Sequence, residues 1–415
     1  MERALRTYDN RPTNDKSKVG IRAIIIEIIM LFTYAFFAVS WIAGSILTPQ
    51  IMEHFNIESF SAATLLSNAI TIAKIIGNLL AAWFLVNFNP KKAIGFASLL
   101  IVVGSISAPF VSQYWMFIIL RFVMGFGGAL FIVYFGPIVI KYFSPEQRPI
   151  INGINNVAYN IGSIIAMLAV LPVYNWLLTW QSSLIFFAAF SGILLILWLI
   201  VGEDFNLNKS SNSSLEVNQE IYTFKDGLKD KFNYTFAFTY SGLLTLYIVI
   251  LSIFPVADFT AIDSALLSAT VAFAAIAGSA VGILLTKKIN RRLPVLRWSG
   301  LFMTAAAFIM ILTHSPALSI VMAGVVGFLM FLPITALVTI PQELPNMTPS
   351  KLTVIMGFFW SFSYIVETIA YYAIGVVIDL SGFKAGLIVA VVLSLTFFIG
   401  SFLLPETGKR KLIKT

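Results

Sequence analysis

The chain has 415 residues, of which 59% are hydrophobic and only 11% are charged. This composition is too apolar for a water-soluble globular protein, and it indicates a polytopic helical membrane protein. The chain has no cysteine, which excludes disulfides, thiolate metal sites and cysteine nucleophiles.

Twelve apolar segments, each about long enough to cross a hydrocarbon core of ~30 Å, follow one another along the chain. The predicted helices cover about residues 22–48, 59–87, 92–112, 114–142, 150–174, 179–202, 234–257, 261–286, 293–313, 317–340, 352–377 and 384–404. Residues 1–21 are a predicted cytoplasmic tail rather than a signal peptide, and 405–415 are a second tail. The polar segment 203–233 is a linker between two six-helix bundles, 22–202 and 234–404. The predicted fold is therefore an all-α integral membrane protein.

Basic residues are sorted by side when the chain starts in the cytoplasm and the spans alternate. Of the 27 Lys and Arg residues, 24 fall on the inner side and only Lys384 falls on an outer loop. Lys74 and Arg121 lie inside predicted spans. This positive-inside pattern predicts that both termini are cytoplasmic and excludes nucleic acid as the reason for the net charge of +8. The short tails and basic inner loops indicate the cytoplasmic membrane of a prokaryote.

The two halves form a weak internal repeat. Phe88-Asn-Pro-Lys91-Lys92 follows the second predicted helix, and Ile289-Asn-Arg291-Arg292 follows the eighth. Repetition of this kind is typical of secondary transporters that bind their substrate near the midplane, between the halves.

The sequence resembles the major facilitator superfamily over nearly its whole length. The stretches that carry the resemblance are Leu120-Arg-Phe-Val-Met-Gly-Phe-Gly-Gly128, Ser144-Pro-Glu-Gln-Arg148 with Asn152-Gly153, and Pro341-Gln-Glu-Leu344 with Gly375-Val-Val-Ile-Asp-Leu-Ser-Gly382. The run from Val139 through helix 5 is similar to the cyanate and nitrate branch. The resemblance implies twelve helices, alternating access and a cytoplasmic gate, to which we assign Lys91, Lys92, Arg148, Arg291 and Arg292.

The sequence departs from the family pattern at two places. The loop after the second helix and its counterpart after the eighth keep their basic pairs but lack the aspartate that, in the family, caps a neighbouring helix in the gate. The Gly-Pro-rich antiporter motif is also absent from helix 5, which makes drug/proton exchange a less favoured function.

Charged residues inside the spans are the main site candidates, because an ionised group at the bilayer centre costs ~3 to ~15 kcal/mol. Lys74 is interpreted as an anion-attracting or coupling charge, or as half of a structural ion pair. Glu367 is its expected partner across the contact of helices 2 and 11. Arg121 suits a carboxylate or other oxyanion, or is held by backbone carbonyls. Glu27 is a coupling candidate, or simply reaches the inner interface.

Helix 5 carries Asn152, Asn156 and Asn160 on one face, with Asn155 beside them. These amides either hold helices together or contact the substrate, with Asn160 the favoured contact. Aromatic and hydroxyl side chains predicted to line the cavity are Tyr34, Ser40, Trp41, Tyr240, Tyr247, Trp360 and Tyr364.

The favoured function is uptake of a small polar, anionic solute, with protons as the coupled ion and with no cofactor. The alternative is proton-driven efflux of amphipathic compounds. An enzyme is disfavoured because His54 and His314 lie on separate outer loops and no catalytic or metal-binding spacing occurs. A transporter-derived sensor is disfavoured because the linker is short. The expected partners are the substrate and the lipid bilayer, and the expected state is a monomer.

Overall fold

The computed structural model describes residues 20–143, 147, 151, 154–204, 224–257, 260, 262–345 and 349–407. Over these ranges the regular structure is helical, with short 3₁₀ turns. The α-helices are α1 (Ile21–Ile46), α2 (Thr48–Phe55), α3 (Phe60–Asn87), α4 (Pro90–Ser107), α5 (Tyr114–Val133), α6 (Phe135–Tyr142), α7 (Ala158–Leu177), α8 (Trp180–Val201), α9 (Phe224–Lys229), α10 (Lys231–Ser252), α11 (Ser264–Lys288), α12 (Leu293–Leu312), α13 (Pro316–Phe331), α14 (Ile334–Thr339) and α15 (Pro349–Gly400).

Eleven helical segments in the described part of the chain are long and apolar enough to cross a membrane. The last of them, Val354–Gly400, has 47 residues. A straight helix of this length would measure roughly 70 Å at 1.5 Å per residue, more than twice the thickness of a hydrocarbon core. The segment is interrupted at Gly382, whose φ of 83° and ψ of 168° are not helical. The predicted count of twelve spans depends on this break and stays a prediction.

Prolines explain where the structure divides two helices that were predicted to be continuous. The predicted helix 114–142 is split at Tyr134 into α5 and α6, and Pro137 in the first turn of α6 has no N–H for the carbonyl of Val133. The predicted helix 317–340 is likewise split before α14, where Pro333 is the N-cap residue. Both halves are therefore interrupted within their fourth predicted helix.

Polar residues in the short loops cap the starts of several helices. The side chains of Ser59, Thr179 and Ser315 accept hydrogen bonds from the backbone N–H three residues later, and Asp263 accepts from Ala265. These contacts satisfy N–H groups that have no partner inside the helix.

One end of the bundle carries the start of α1 and the end of α15, and we call it the terminal end. There the backbone N–H of Lys91 donates to Asp204 at 3.1 Å, and the N–H of Leu293 donates to Glu406 at 3.2 Å. Each bond joins residues 113 apart in sequence. An acid that follows the last helix of each half thus caps the third helix of that half, which supports the internal repeat.

The opposite end, which carries Phe60 and Asp379, is called the distal end. Between the halves α3 packs on α15, α7 on α11, and α1 on α10. The first of these is the contact of helices 2 and 11 across which Glu367 was expected to lie near Lys74. A continuous apolar core extends through both halves. The short helix α9 falls inside the predicted linker 203–233, and α10 begins three residues before its expected start.

Candidate functional site

Lys74 lies where the two halves meet, on the middle of α3. Its side chain is 5% exposed, and its ammonium donates to the Tyr364 hydroxyl at 3.2 Å. Four rings surround the ammonium, with Nζ-to-centroid distances of 4.6 Å to Trp41, 5.1 Å to Tyr364, 5.5 Å to Tyr159 and 5.8 Å to Phe37. We call these four rings the aromatic cage. Such contacts stabilise a desolvated cation by about 2 kcal/mol, so the cage offsets part of the cost of burying Lys74.

The rings of the cage come from three helices and from both halves. Phe37 and Trp41 lie one turn apart on α1, Tyr159 lies on α7, and Tyr364 comes from α15 in the other half. The Trp41 indole N–H donates to Ser67 at 2.7 Å, which fixes the ring. Phe37 fits against α5 because Gly128 leaves room for its ring. A glycine at position 128 therefore lets α1 and α5 approach each other closely.

Glu367 lies one turn beyond Tyr364 and is fully buried. The polar groups around it are Lys74, Thr71 and Thr368. The two threonine hydroxyls hydrogen bond to each other at 2.8 Å, across the contact between the halves. Neither carboxylate oxygen has a hydrogen-bond partner among the described residues.

Lys74 and Glu367 are thus neighbours, but they do not form the expected ion pair in this structure. The physical reason is that the Tyr364 hydroxyl and the cage take the ammonium. The Glu367 carboxylate therefore lies near the Lys74 ammonium without contacting it directly. Lys74, Tyr364 and Glu367 all lie on the contact between α3 and α15.

Other predicted cavity residues extend the cage. Tyr34 packs near Tyr159 with centroids 6.5 Å apart, and Trp360 lies between Tyr240 and Tyr364 at 5.7 and 6.4 Å. Tyr247 donates to the side-chain oxygen of Asn160, which joins α10 to α7 across the halves. The structure therefore brings Tyr34, Asn160, Trp360 and Tyr364 to the same region as Lys74 and Glu367.

Asn156 and Asn155 are placed differently from Asn160. The Asn156 side chain is exposed, and Asn155 is buried without a hydrogen-bond partner for its amide atoms among the described residues. Asn152 lies outside the described residues. Of the three amides expected on one face, only Asn156 and Asn160 are therefore among the described residues. Asn156 is not grouped with the cage, and its substrate contact stays a prediction.

Arg121 lies on α5 and is buried against α1, with 2% of its surface exposed. Its two terminal nitrogens donate at 2.7 Å to the carbonyls of Ser40 and Trp41. This arrangement matches the alternative in which backbone carbonyls hold the guanidinium, and it supports the backbone of a cage residue. Ser40, Ser105 and Arg121 also line a small cavity that is about large enough for one water molecule. A direct contact of Arg121 with substrate stays a prediction.

Gly44→Ala is expected to destabilise the protein by about 2 kcal/mol or more. A Cβ at position 44 would lie 2.8 Å from a terminal nitrogen of Arg121 and 2.9 Å from its central carbon. The guanidinium would have to leave the carbonyls that it binds. Thermal unfolding of the purified protein measures the change.

Gly192→Ala is the matched control, because a Cβ there meets nothing within 4 Å. The control should be neutral or slightly stabilising, since alanine favours a helix over glycine by up to about 1 kcal/mol. Equal melting temperatures for the two variants would contradict the supporting role of Arg121.

Glu27 is also buried, at 7% exposure, with no hydrogen-bond partner for its carboxylate oxygens in the part of the chain that the structure describes. The alternative that it simply reaches the inner interface stays a prediction. The Asn155 side chain lies close to it. Glu27 belongs to a second polar position, on α1 toward the terminal end. Its coupling role stays a prediction.

Four of the expected gate residues lie at the terminal end: Lys91, Lys92, Arg291 and Arg292. Arg292 binds Glu343 through two nitrogens at 2.7 and 3.2 Å, and this carboxylate raises the pKa of Arg292 above its ordinary value. Thr407 also donates to Glu343. Lys92 and Arg291 are exposed, and Arg148 lies outside the described residues. In the first half, burial and a hydrogen bond to Glu203 raise the pKa of Tyr142.

Three acids at the ends of the bundle were not singled out from the sequence: Glu343, Asp379 and Glu406. Glu343 and Asp379 both occur in the C-terminal stretches that resemble the family, so the motif match was the available signal. Glu406 could have been found through its equivalence to Asp204 in the repeat.

The comparisons with known proteins agree with this architecture. The sequence profile of the Major Facilitator Superfamily matches residues 29–370. An uncharacterised protein of Campylobacter jejuni is 31% identical over 204 residues, and one of Mesomycoplasma hyopneumoniae is 26% identical over 238. These matches cover 49% and 53% of this chain, and 62% and 49% of those proteins.

Solved structures show the same fold at low sequence identity. A bacterial homolog of the human lysosomal transporter Spinster superimposes with a TM-score of 0.71 at 11% identity, covering 93% of this chain and 98% of that one. The xylose transporter of E. coli in an inward-open conformation gives 0.72 at 16% identity, covering 95% and 98%. The profile match covers most of the chain, and the chain therefore belongs to the major facilitator superfamily of membrane transporters.

Proposed function

We propose that the protein is a secondary active transporter that takes up a small polar, anionic solute with protons. The observation that carries this proposal is the Lys74 ammonium, buried between the halves and held by a hydroxyl and aromatic rings instead of a carboxylate. Its positive charge is not directly neutralised. An anion that enters between the halves is attracted by the Lys74 ammonium, and the buried surroundings screen this attraction only weakly.

The mechanism that fits this position is alternating access. A site built from α1, α3 and α7 of one half and α15 of the other changes shape when the halves rock against each other. The substrate would replace Tyr364 as the partner of Lys74. Glu367, one turn away, is the coupling acid that we propose to bind the proton, with Glu27 as a second candidate.

The orientation and the full span count are part of the same proposal. The basic residues predict that the terminal end faces the cytoplasm, so the distal end faces outward. The break at Gly382 then separates the eleventh and twelfth spans of a monomeric protein in the cytoplasmic membrane. The finer similarity to the cyanate and nitrate branch stays a prediction within this proposal.

The alternative function is proton-driven efflux of amphipathic compounds. The aromatic cage and its extension by Tyr34, Tyr240 and Trp360 favour it, because aromatic rings bind organic cations. The buried Glu27 supplies an acid in the first half. In this function Lys74 would act as an internal cation that occupies the cage until a substrate displaces it.

The test is a thermal-stability screen of the purified protein against small inorganic and carboxylate anions, amino acids, sugars and lipophilic cations. Sugars belong in the panel because one solved neighbour is a D-xylose–proton symporter. A ligand present at about 100 times its dissociation constant adds about 2.7 kcal/mol to stability. Stabilisation by an anion, followed by its uptake into proteoliposomes under an inward proton gradient, would support the proposal. Stabilisation by lipophilic cations alone would replace it with efflux.

A further inference from the structure

Asp379 connects the two halves at the distal end. It lies on α15 before Gly382, and its two carboxylate oxygens accept hydrogen bonds from the first N–H groups of α3. The distances are 2.5 Å from Phe60 and 2.9 Å from Ser61, residues that are 319 and 318 positions away in sequence. The next N–H, that of Ala62, is capped by Ser59. The start of α3 is therefore capped partly by its own loop and partly by the other half.

The stabilisation that this cap provides depends on the carboxylate and on the backbone of α3, and on no other side chain. The first N–H groups of a helix have no partner inside it and carry a partial positive charge. A carboxylate at that end satisfies two donors and interacts favourably with the helix dipole. The bond crosses the contact that has to separate when the distal end opens.

The surfaces around Asp379 are shaped for close approach. Gly375 lies one turn before it on the same face of α15. A Cβ at Gly375 would lie 2.6 Å from the Thr64 side chain and 3.0 Å from the Ser61 backbone. Phe60 and Phe383 also pack against each other, with ring centroids 5.0 Å apart. The helices are thus in direct contact on both sides of the carboxylate.

We propose that Asp379 is a latch that holds the distal end closed and sets how often the transporter opens to that side. The inference rests on the proposed function, because it takes the distal end as the outer gate of alternating access. Asp379 is exposed, so water replaces its partners when the helices part. An exposed charge–N–H contact of this kind is modest in strength, as a reversible gate needs. The latch is an acid at the end opposite to the loops where the family's gate aspartate is missing.

The absence of cysteine allows a direct test of this latch. Ser252 ends α10 and is 3% exposed, in a small cavity beneath the latch that Phe60, Ser67 and Tyr371 also line. A Ser252→Cys reporter in intact cells is treated with a membrane-impermeant maleimide, and its labelling rate is measured. In this background Asp379→Asn is expected to raise the rate about five- to tenfold, because one acceptor and the charge are lost. Asp379→Glu keeps both and should restore slow labelling.

The matched control is Asp263→Asn. Asp263 also lies at the distal end, but it caps its own helix through the N–H of Ala265 at 2.8 Å. Its replacement should leave the labelling of Ser252→Cys unchanged. Equal acceleration by Asp263→Asn and Asp379→Asn would overturn the proposal, since it would show general loosening of that end.

A second pair of variants removes the donor from the other half. Phe60→Pro and Phe60→Ala both delete the ring, but only proline deletes the N–H that Asp379 accepts. Proline is suited to the first helical position, and Ser59 before it is already extended, with φ −94° and ψ 135°. Labelling should be faster in Phe60→Pro than in Phe60→Ala. Asp379→Asn should then add little to Phe60→Pro.

The labelling needs no substrate, so it separates the latch from the proposed function. Faster labelling in a protein that transports no anion would support the latch and refute the substrate class. Equal labelling in wild type, Asp379→Asn and Phe60→Pro would overturn the latch, whatever the protein transports. If Asp379→Asn does not fold, the comparison of Phe60→Pro with Phe60→Ala decides alone.

Discussion

Lys74→Met is expected to abolish anion binding and uptake while the protein stays folded. Methionine keeps the length of the side chain, and its sulfur packs well against aromatic rings such as those of the cage. The change removes the buried charge to which we attribute substrate affinity. Losing a desolvated charge interaction of about 2–5 kcal/mol lowers affinity by at least about 30-fold. Binding by the thermal-shift assay and uptake into proteoliposomes measure the effect.

The stability of Lys74→Met separates the two interpretations of this residue. If the ammonium serves the substrate, removing it relieves a desolvation cost, and the melting temperature without ligand should be equal or higher. If it serves only to hold the halves together, stability should fall and anion affinity should persist. Lys231→Met is the matched control, since Lys231 is an exposed basic residue at the start of α10 and its replacement should change neither quantity.

The helix positions could be predicted well because each apolar run ends in a polar or capping residue. The predicted helices 59–87 and 179–202 correspond to Phe60–Asn87 and Trp180–Val201, which begin directly after Ser59 and Thr179. Breaks inside apolar runs were not predicted from hydropathy, because Pro137 and Pro333 change the hydrogen bonding without changing the apolar character.

The site could be predicted only in part. An ionisable residue inside a span is conspicuous in the sequence, so Lys74 and Glu367 were found and placed at one contact. The cage around Lys74 depends on how three other helices are rotated, and no single segment encodes that. The same is true of Asp379, whose partners are the backbone N–H groups of Phe60 and Ser61. Backbone donors leave no pattern in a sequence.

Glu367→Gln is expected to stabilise the protein and to uncouple it from the proton gradient. The carboxylate is fully buried and has no hydrogen-bond partner among the described residues, so the nearby charge of Lys74 offsets only part of the desolvation cost of its charged form. Glutamine keeps the shape, and its amide can donate to Thr71 or Thr368 nearby. The free energy of unfolding should rise by about 1–2 kcal/mol, measured as a higher melting temperature.

The transport phenotype of Glu367→Gln should be selective. Anion binding and exchange of anion across the membrane should persist, because the ammonium of Lys74 keeps its contacts with Tyr364 and the cage. Accumulation against a gradient and its dependence on pH should be lost, because no proton can bind at position 367. Glu58→Gln, an exposed acid before α3, should behave as wild type. Uptake that remains concentrative and pH-dependent in Glu367→Gln would show that another acid carries the proton, and Glu27 would be the next to replace.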